Sequence, residues 1–165
     1  MKVFLIGFMG CGKSRKGKEL AKKLDWLFVD IDKEIEKKTG ISINEYFAKY
    51  GEDKFRELES NILKHYPYPP NAVIAVGGGL PCFYDHIDWM NSQGITIYLE
   101  MDPAALVSRL KNREKRPLIK DMDDETLLNF IKEKLKERSP YYNKAKIRVS
   151  GLNLDIANLI KTIYA

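Results

Sequence analysis

The sequence predicts an α/β fold in which helices cover both faces of a five-stranded parallel sheet. Short apolar runs alternate with amphipathic segments along the chain, which is the pattern of parallel strands joined by crossover helices. The runs lack polar alternation, as expected for strands buried on both faces. A glycine-rich turn follows the first run and leads into the first helical segment. Together these observations indicate a three-layer sandwich with a phosphate-binding loop.

Length and composition favour one domain and argue against several classes of function. A chain of 165 residues suits a single domain, 1–165, and we expect a monomer. Two cysteines are too few for a disulfide framework, so we expect a cytoplasmic protein. The sequence shows no N-terminal signal pattern and no apolar run of the roughly 18 residues that a membrane span requires. We therefore expect no membrane partner. The net charge of +5 comes from lysines mixed with acids, which favours a solvated surface over nucleic-acid binding.

The first chemical motif is the loop 7–14, which reads GFMGCGKS between a strand, Val3–Ile6, and a helix that begins near Ser14. It matches the phosphate-loop pattern G-x-x-x-x-G-K-[ST]. Glycines let several backbone N–H groups converge on one phosphate, and the following helix N-terminus favours the same anion. Lys13 would reach the β- and γ-phosphate oxygens of a nucleotide, and Ser14 would ligate the accompanying Mg²⁺. Cys11 occupies a variable position of the motif, so we expect an incidental small side chain there.

Two carboxylates follow the second predicted strand. The chain turns at Asp25 and continues into the apolar run Trp26–Val29, which ends in Asp30-Ile31-Asp32. The carboxyl ends of parallel strands face the crevice in which open α/β sheets bind ligands. If the strand continues that far, the spacing of two puts both aspartates on the same side. We expect Asp30 to hold the hydration shell of Mg²⁺ and Asp32 to hydrogen-bond or deprotonate an acceptor hydroxyl.

Helical patterns fill the next part of the chain. One segment ends at Gly40, and a capping box, Ser42–Glu45, begins a short helix that ends at Gly51. The next helix carries Arg56 and Glu59 three residues apart, as neighbours on one face. Spacing alone favours an ordinary surface ion pair for these two residues.

Three consecutive glycines, Gly77–Gly79, follow the third predicted strand, Ala72–Val76. Glycines at a strand end cost backbone entropy, so either the chain bends sharply there or something approaches the backbone closely. Both readings fit, and the neighbouring strand ends favour a ligand. A helix over 84–90 and a strand, Ile95–Leu99, come next.

The most cationic window follows a helix that begins at Asp102-Pro103, with Asp as the expected N-cap. Its basic residues are Arg109, Lys111, Arg113, Lys115 and Arg116. The window is either a solvated helix end, which cations favour, or a mobile lid that closes basic side chains over phosphates.

The last predicted elements complete the alternation of strands and helices. They are a helix capped by Asp123 or Asp124, a strand over Lys146–Val149 and a helix over Leu154–Ile163. Arg56 and Arg138 both precede loops that should face the same crevice, so their guanidinium groups could grip an acceptor carboxylate. Arg116 could neutralise charge as a phosphoryl group moves.

In this order, the motifs resemble the shikimate kinase family over nearly the whole chain. They are the loop 7–14, Asp30-Ile31-Asp32 with Ile35-Glu36, Gly51-Glu52 with Phe55-Arg56 and Glu59, Gly77–Gly79, Arg116-Pro117-Leu118, and Arg138 before Pro140-Tyr141. The resemblance implies transfer of the γ-phosphoryl of ATP to the 3-hydroxyl of shikimate, in the pathway to chorismate and the aromatic amino acids. It also implies a sheet order of 2-3-1-4-5, as in nucleoside-monophosphate kinases, a lid at about 111–122 and an acceptor-binding helical segment at about 32–62.

The resemblance also assigns roles to individual residues. The expected nucleotide-binding residues are Gly10, Cys11, Gly12, Lys13, Ser14, Arg15, Arg109 and Arg116, with Arg109 stacked on the adenine. The expected shikimate-binding residues are Asp32, Arg56, Glu59, Gly77, Gly78, Gly79 and Arg138, with Glu59 orienting Arg56. Catalysis is assigned to Lys13, Asp32 and Arg116, and Mg²⁺ to Ser14 and, through water, Asp30. Given these roles, substrate binding is a better interpretation of Arg56 and Glu59 than an ordinary surface ion pair.

Two positions depart from the family pattern, and two other functions stay open. Arg15 stands where many relatives have a small hydroxyl residue at the α-phosphate, and 150–155 lacks a proline that some relatives carry. We therefore assign no adenine contact to 150–155. The alternatives are another small-acceptor kinase, such as a gluconate kinase, and a non-catalytic nucleotide switch or nucleic-acid binder. The carboxylate grip and triple glycine favour a compact cyclic acid, and the acidic pair and lid arginines favour a kinase.

Overall fold

Parallel strands form the centre of the protein. Within residues 1–114 and 116–165, which the computed structural model describes, the strands are β1 (Lys2–Ile6), β2 (Leu27–Asp30), β3 (Ala72–Ala75), β4 (Ile95–Glu100) and β5 (Ile147–Ser150). They pair in the order β2-β3-β1-β4-β5, so the predicted sheet order is confirmed. Lys115 of the basic window lies outside the described residues.

Helices pack on both faces of this sheet. They are α1 (Lys13–Leu24), α2 (Ile31–Thr39), α3 (Ile43–His65), α4 (His86–Gln93), α5 (Pro103–Arg109), α6 (Asp124–Tyr142) and α7 (Ile156–Ile163), with a 3-10 turn at Leu80–Cys82. Alternate residues of β1 point to opposite faces. Val3 and Leu5 lie in one apolar core with α1, α5, α6 and α7, and Phe4 and Ile6 lie in a second core with α2, α3 and α4. Among the described residues, none of the helices has the length and apolar content of a membrane span.

The two edge strands are more exposed than the sequence predicts. Val3–Ile6 of β1 are at most 1% exposed, whereas Leu27 of β2 is 52% exposed. β5 alternates between half-buried and exposed residues. The prediction of burial on both faces is therefore wrong for β2 and β5, because each lies at an edge with a neighbour on one side only.

The helix ends follow the predicted turn and capping signals. Asp25 takes a left-handed conformation (φ 57°) after α1, and Gly40 does so after α2 (φ 76°). Ser42 accepts a hydrogen bond from the N–H of Glu45 (3.1 Å) at the start of α3. Gly51 (φ 82°, ψ 173°) interrupts α3, which confirms a short helix that ends at this glycine.

Several boundaries differ from the prediction by one or two residues, and one open choice is decided. The helix predicted over 84–90 begins at His86, because Tyr84 takes a left-handed conformation (φ 49°). β5 is shifted by one residue, to Ile147–Ser150. Asp123 is the N-cap of α6, since its carboxylate accepts a hydrogen bond from the N–H of Thr126 (2.7 Å).

Candidate active site

The phosphate loop follows β1 at the carboxyl edge of the sheet. Gly10 (φ 82°) and Gly12 (φ 94°) take left-handed conformations that favour glycine, and so let the backbone curl before α1. Cys11 between them is 1% exposed, so its thiol packs inside the loop. Lys13 folds back over the loop, where Nζ donates to the carbonyl oxygen of Gly7 (2.6 Å). A curled backbone at a helix N-terminus, with a lysine beside it, is an arrangement that binds phosphate groups.

Two side-chain oxygens that could bind a metal ion meet between the start of α1 and the end of β2. The hydroxyl of Ser14 donates to Oδ2 of Asp30 (2.9 Å). Protein sites for Mg²⁺ usually supply one or two oxygens and leave the rest of the octahedron to phosphates and water. Within residues 1–114 and 116–165, no cluster of three or more His, Cys, Asp or Glu side chains could hold a metal by itself. The pair therefore fits a magnesium ion that arrives with a nucleotide.

A cavity of about 300 Å³ lies above the loop. Its lining includes Lys13, Ser14, Arg15, Asp30, Asp32 and Arg116. Arg116 comes from the segment between α5 and α6, far along the chain from the phosphate loop. The fold thus brings residues predicted to bind nucleotide, metal and acceptor into one cavity.

The two aspartates reach this cavity by a route that differs from the prediction. β2 ends at Asp30, whose Oδ1 accepts a hydrogen bond from the N–H of Lys33 (3.3 Å) as the N-cap of α2. Asp32 lies in the first turn of α2. β2 ends before Asp32, so the condition for two carboxylates on one side of a strand is not met. A helix turn brings Asp32 to the same cavity instead.

The environment of Asp32 favours a carboxylate that can accept a proton. Burial raises the pKa of Asp32 above its ordinary value, and the negative charge of Asp30 raises it further. Lys13 opposes this rise through its positive charge. A raised pKa brings a carboxylate closer to the range in which a general base is effective.

The three glycines after β3, Gly77–Gly79, form a surface that we call the glycine wall. None of them has the positive φ that would require glycine, so a sharp bend does not explain them. A methyl group added to Gly77 would lie 3.1 Å from Oδ1 of Asp32 and 3.3 Å from Oε2 of Glu59. Close approach of polar side chains to the backbone is therefore the reason for glycine at this position.

The other two glycines are each covered by an arginine. A methyl group on Gly78 would lie 3.2 Å from Nη1 of Arg138, and one on Gly79 would lie 2.6 Å from Nη2 of Arg56. A contact of 2.6 Å is too short for a Cβ atom, so a larger residue at Gly79 would displace the guanidinium group. The glycine wall thus leaves room for both arginines that the sequence predicts to bind a carboxylate.

Arg56 and Glu59 form a buried pair behind this wall. Nη1 of Arg56 donates to Oε1 of Glu59 (2.9 Å), and Glu59 is only 1% exposed. The guanidinium group also lies over the ring of Phe83, 4.1 Å from its centre. Burial raises the pKa of Glu59 to about 7, although the charge and hydrogen bond of Arg56 oppose the rise. The surface ion pair that spacing alone favoured is therefore wrong.

The remaining predicted arginines flank the phosphate loop. Arg138, near the end of α6, lies with its guanidinium carbon 5.2 Å from the centre of the Phe8 ring. Nη1 of Arg109, the last residue of α5, would be 3.2 Å from a methyl group on Gly12. Arg138 thus lies beside Phe8 and Gly78, and Arg109 lies beside Gly12, the glycine that precedes α1.

Comparison with known proteins identifies the family. A sequence model described as shikimate kinase matches residues 9–164. A shikimate kinase from Bacteroides fragilis is 39% identical over 163 residues, which cover 98% of this chain and 91% of that protein. One from Aquifex aeolicus is 39% identical over 151 residues, or 92% of this chain and 87% of that protein. The chain belongs to the shikimate kinase family.

Solved structures of the shikimate kinase family share the whole fold. The Bacteroides thetaiotaomicron shikimate kinase superposes with a TM-score of 0.94 at 35% identity, covering 100% of this chain and 99% of that one. A shikimate kinase from Acinetobacter baumannii, solved in complex with shikimate, gives a TM-score of 0.84 at 31% identity and covers 99% and 90%. The same fold extends beyond the family, since a deoxyadenosine kinase from M. mycoides has a TM-score of 0.58 at 20% identity.

Sequence reasoning missed several residues that shape the site of this family member. Phe8 and Phe83 carry the rings beside Arg138 and Arg56, and the hydroxyl of Tyr142 donates to the carbonyl oxygen of Gly78 (2.5 Å). The spacing of four residues between Arg138 and Tyr142 puts both on one helix face, and this spacing was the available signal. The two phenylalanines had no comparable signal, because their contacts join distant segments.

Arg113 of the basic window has a role at the base of the predicted lid. Its Nη1 donates to the carbonyl oxygen of Leu110 (3.1 Å), and its Nη2 donates to that of Met122 (2.6 Å). Nη2 also pairs with Oδ1 of Asp124 (3.0 Å), and the Arg113 side chain is 11% exposed. Arg113 therefore joins the two ends of the predicted lid. Of Arg113 and Arg116, only Arg116 lines the cavity above the phosphate loop.

The sequence predicts a surface or helix-end position for His86, and the helix-end position is confirmed. His86 begins α4 but is 0% exposed, and its Nδ1 lies 2.8 Å from the carbonyl oxygen of Leu80. Burial lowers the pKa of His86 below its ordinary value. His86 is not at the surface, because the 3-10 turn after the glycine wall covers the ring.

Proposed function

We propose that the chain transfers the γ-phosphoryl group of ATP to the 3-hydroxyl of shikimate and releases ADP and shikimate 3-phosphate. Membership of the shikimate kinase family supports this reaction. The observation that carries it is the glycine wall, where two arginines and Asp32 lie against bare backbone at the edge of the phosphate cavity. A small anionic ring with hydroxyl groups needs such a combination of flat backbone, carboxylate grip and hydrogen-bond acceptor.

On the acceptor side, Arg56 and Arg138 bind the carboxylate of shikimate. Guanidinium groups present paired N–H donors that match a carboxylate, and charge-assisted hydrogen bonds are the stronger kind. Glu59 orients Arg56 through the 2.9 Å hydrogen bond, and Gly77–Gly79 pack against the ring. A kinase must hold its acceptor in line with the γ-phosphoryl and exclude water, which is the purpose of these contacts.

Asp32 receives the proton of the 3-hydroxyl as the new oxygen–phosphorus bond forms. The bond between the γ-phosphorus and the bridging oxygen of ADP breaks, and ADP carries that electron pair away. The raised pKa of Asp32 supports this role as proton acceptor. Lys13 and Arg116 stabilise the charge on the transferring phosphoryl group, because both line the same cavity.

On the nucleotide side, the backbone of Gly10, Cys11 and Gly12 holds the phosphates, and Arg15 adds a cation to the cavity. Arg109 beside Gly12 stacks on the adenine. Ser14 would ligate Mg²⁺ directly, and Asp30 would do so through water. When bound, Mg²⁺ neutralises negative charge on the phosphate chain.

The same proposal covers the organisation of the protein. The chain acts as one domain, 1–165, with an acceptor-binding helical segment at about 32–62 and a lid at about 111–122 that closes Arg116 over the phosphates. It acts as a monomer in the cytoplasm on small molecules, without a nucleic-acid or membrane partner. The mixing of lysines with acids on helix faces and the two distant cysteines support these assignments.

The deciding experiment measures ADP release by purified protein with ATP and Mg²⁺, with shikimate, gluconate or no acceptor added. We expect stimulation by shikimate alone. In the variant Arg138→Ala, we expect the KM for shikimate to rise about 100-fold, since a charge-assisted grip is lost, while the KM for ATP changes less than about twofold. Stimulation by gluconate, or by neither compound, would contradict the acceptor assignment. Full activity of Arg138→Ala at low shikimate would contradict the placement of Arg138.

A further inference from the structure

The hydroxyl group of Tyr142 is buried at the edge of the candidate active site. Tyr142 is the last residue of α6 and is 0% exposed. Its hydroxyl donates a hydrogen bond to the carbonyl oxygen of Gly78, at 2.5 Å. Burial raises the pKa of the Tyr142 phenol above its ordinary range, although the positive charge of Arg138 opposes the rise. The hydroxyl therefore keeps the proton that it donates to Gly78.

Gly78 lies between the two halves of the site. A methyl group on Gly78 would be 3.2 Å from Nη1 of Arg138. The same methyl group would be 3.5 Å from both the carbonyl oxygen of Gly7 and the N–H nitrogen of Met9 in the phosphate loop. The position of the Gly78 peptide therefore sets the separation between an acceptor held by Arg138 and a phosphoryl group held by the loop. Transfer between such groups depends steeply on that separation.

The ring and the hydroxyl of Tyr142 have different partners. The ring packs against Tyr98 of β4, with 5.0 Å between ring centres. Phenylalanine would keep this packing, because it differs from tyrosine by one oxygen only. The oxygen has its partner in the glycine wall, and a buried hydroxyl that loses its partner is costly. The hydroxyl thus contacts the glycine wall, whereas the ring contacts the apolar core.

We propose that Tyr142 is a positioning residue for phosphoryl transfer. Its hydroxyl holds the Gly78 peptide against Arg138 and the phosphate loop, and so acts on the acceptor through those two groups. This inference rests on the proposed function and deepens it, because it adds a residue that controls acceptor geometry without being part of the carboxylate grip.

The test compares Tyr142→Phe with the matched control Tyr98→Phe, which removes the same oxygen from the neighbouring ring. Among residues 1–114 and 116–165, the Tyr98 hydroxyl bonds to no protein group. For Tyr142→Phe, we expect kcat/KM for shikimate to fall about tenfold or more, with the KM for ATP within about twofold of wild type. For Tyr98→Phe, we expect both constants to stay within about twofold. Equal losses in the two variants, or no loss in either, would overturn the proposal.

A second measurement tests the position of Gly78 without any substrate. The N–H groups of Leu80 and Cys82 donate to the carbonyl oxygens of Gly77 (3.2 Å) and Gly79 (3.0 Å). Hydrogen exchange at these two amides, followed by NMR, should be faster in Tyr142→Phe and unchanged in Tyr98→Phe, because only the first variant frees the Gly78 carbonyl. Unchanged exchange in Tyr142→Phe would overturn the positioning role by itself. A wild-type protein without shikimate-dependent ADP release would instead overturn the proposed function. The two failures are therefore distinguishable.

Discussion

The glycine wall and the predicted lid bring arginines to the same cavity by different means. At the wall, Arg56 is 13% exposed and bonds to a Glu59 that is 1% exposed. In the lid, Arg116 is exposed and Leu118 is 66% exposed, and Arg113 joins the segment's two ends. A buried ion pair with a direct hydrogen bond keeps one arrangement, whereas exposed segments open at low free-energy cost. Arg56 is thus part of the folded core, whereas Arg116 lies on a segment that is positioned from its base.

The largest expected effect is a change with pH in the free energy of unfolding, caused by the buried carboxyl group of Glu59. Burial raises its pKa from 4.5 to about 7, so the native state binds this proton more tightly than the unfolded chain does. The stability that the proton provides is complete below pH 4.5 and is lost as the pH rises through 7. By linkage, the free energy of unfolding of wild type should fall by about 3 kcal/mol over this window relative to Glu59→Gln.

Urea unfolding of both proteins at several pH values between 4 and 8 would measure this difference. Glu52→Gln is the control, because Glu52 also approaches Arg56 (3.7 Å) but is 56% exposed. Exposed pairs contribute little, so its difference from wild type should stay small at every pH. A constant offset between wild type and Glu59→Gln would mean that Glu59 titrates like an exposed carboxylate, and the contrast between wall and lid would weaken.

The second prediction concerns Gly79→Ala, which alters the glycine wall without changing a charge. Gly79 has ordinary helical backbone angles (φ −86°, ψ −17°), so alanine adds no backbone strain there. Its methyl group would lie 2.6 Å from Nη2 of Arg56 and must displace the guanidinium group. We expect Gly79→Ala to raise the KM for shikimate about 30-fold, as for the loss of a hydrogen bond to a charged group worth about 2 kcal/mol.

Steady-state kinetics would check this prediction, with the KM for ATP expected near its wild-type value. Thermal unfolding should show a lower Tm, because the displaced guanidinium group belongs to the buried pair with Glu59. The double variant with Arg56→Lys sharpens the test. Because both changes act on the same guanidinium group, their combined effect should be smaller than the product of the two. An unchanged KM for shikimate in Gly79→Ala would mean that Arg56 can shift without loss.

The smallest expected effect concerns the lid. Arg113→Ala removes the hydrogen bonds to the carbonyl oxygens of Leu110 and Met122, so the segment that carries Arg116 is no longer held from its base. We expect kcat to fall about fivefold, which corresponds to about 1 kcal/mol, with the KM for shikimate nearly unchanged.

Asp124→Asn is the matched control for the lid prediction. Asp124 is 67% exposed, so its ion pair with Arg113 should contribute little, and kcat should stay near that of wild type. A loss in Asp124→Asn equal to that in Arg113→Ala would show that the ion pair, rather than the carbonyl contacts, holds the segment.

Local motifs explain why much of the fold could be predicted. The phosphate loop, the glycine after α2, the capping serine before α3 and the break at Gly51 each depend on backbone preferences within a few residues. These signals located the strand and helix ends to within a few residues. The exposure of Leu27 and the burial of His86 were not predictable in the same way, because they depend on which strand lies at an edge and which turn covers a ring.

The sequence by itself determined the phosphate loop, the order of the elements and the set of charged residues near the strand ends, because these depend on short-range conformational preference and residue order. Only the tertiary structure decided which of those charges are buried and what they touch. Tyr142 and Gly78 are 64 residues apart in the chain, and Arg56 meets Gly79 across two elements of the fold. Such contacts arise when distant segments pack and exclude water, and local sequence does not specify that packing.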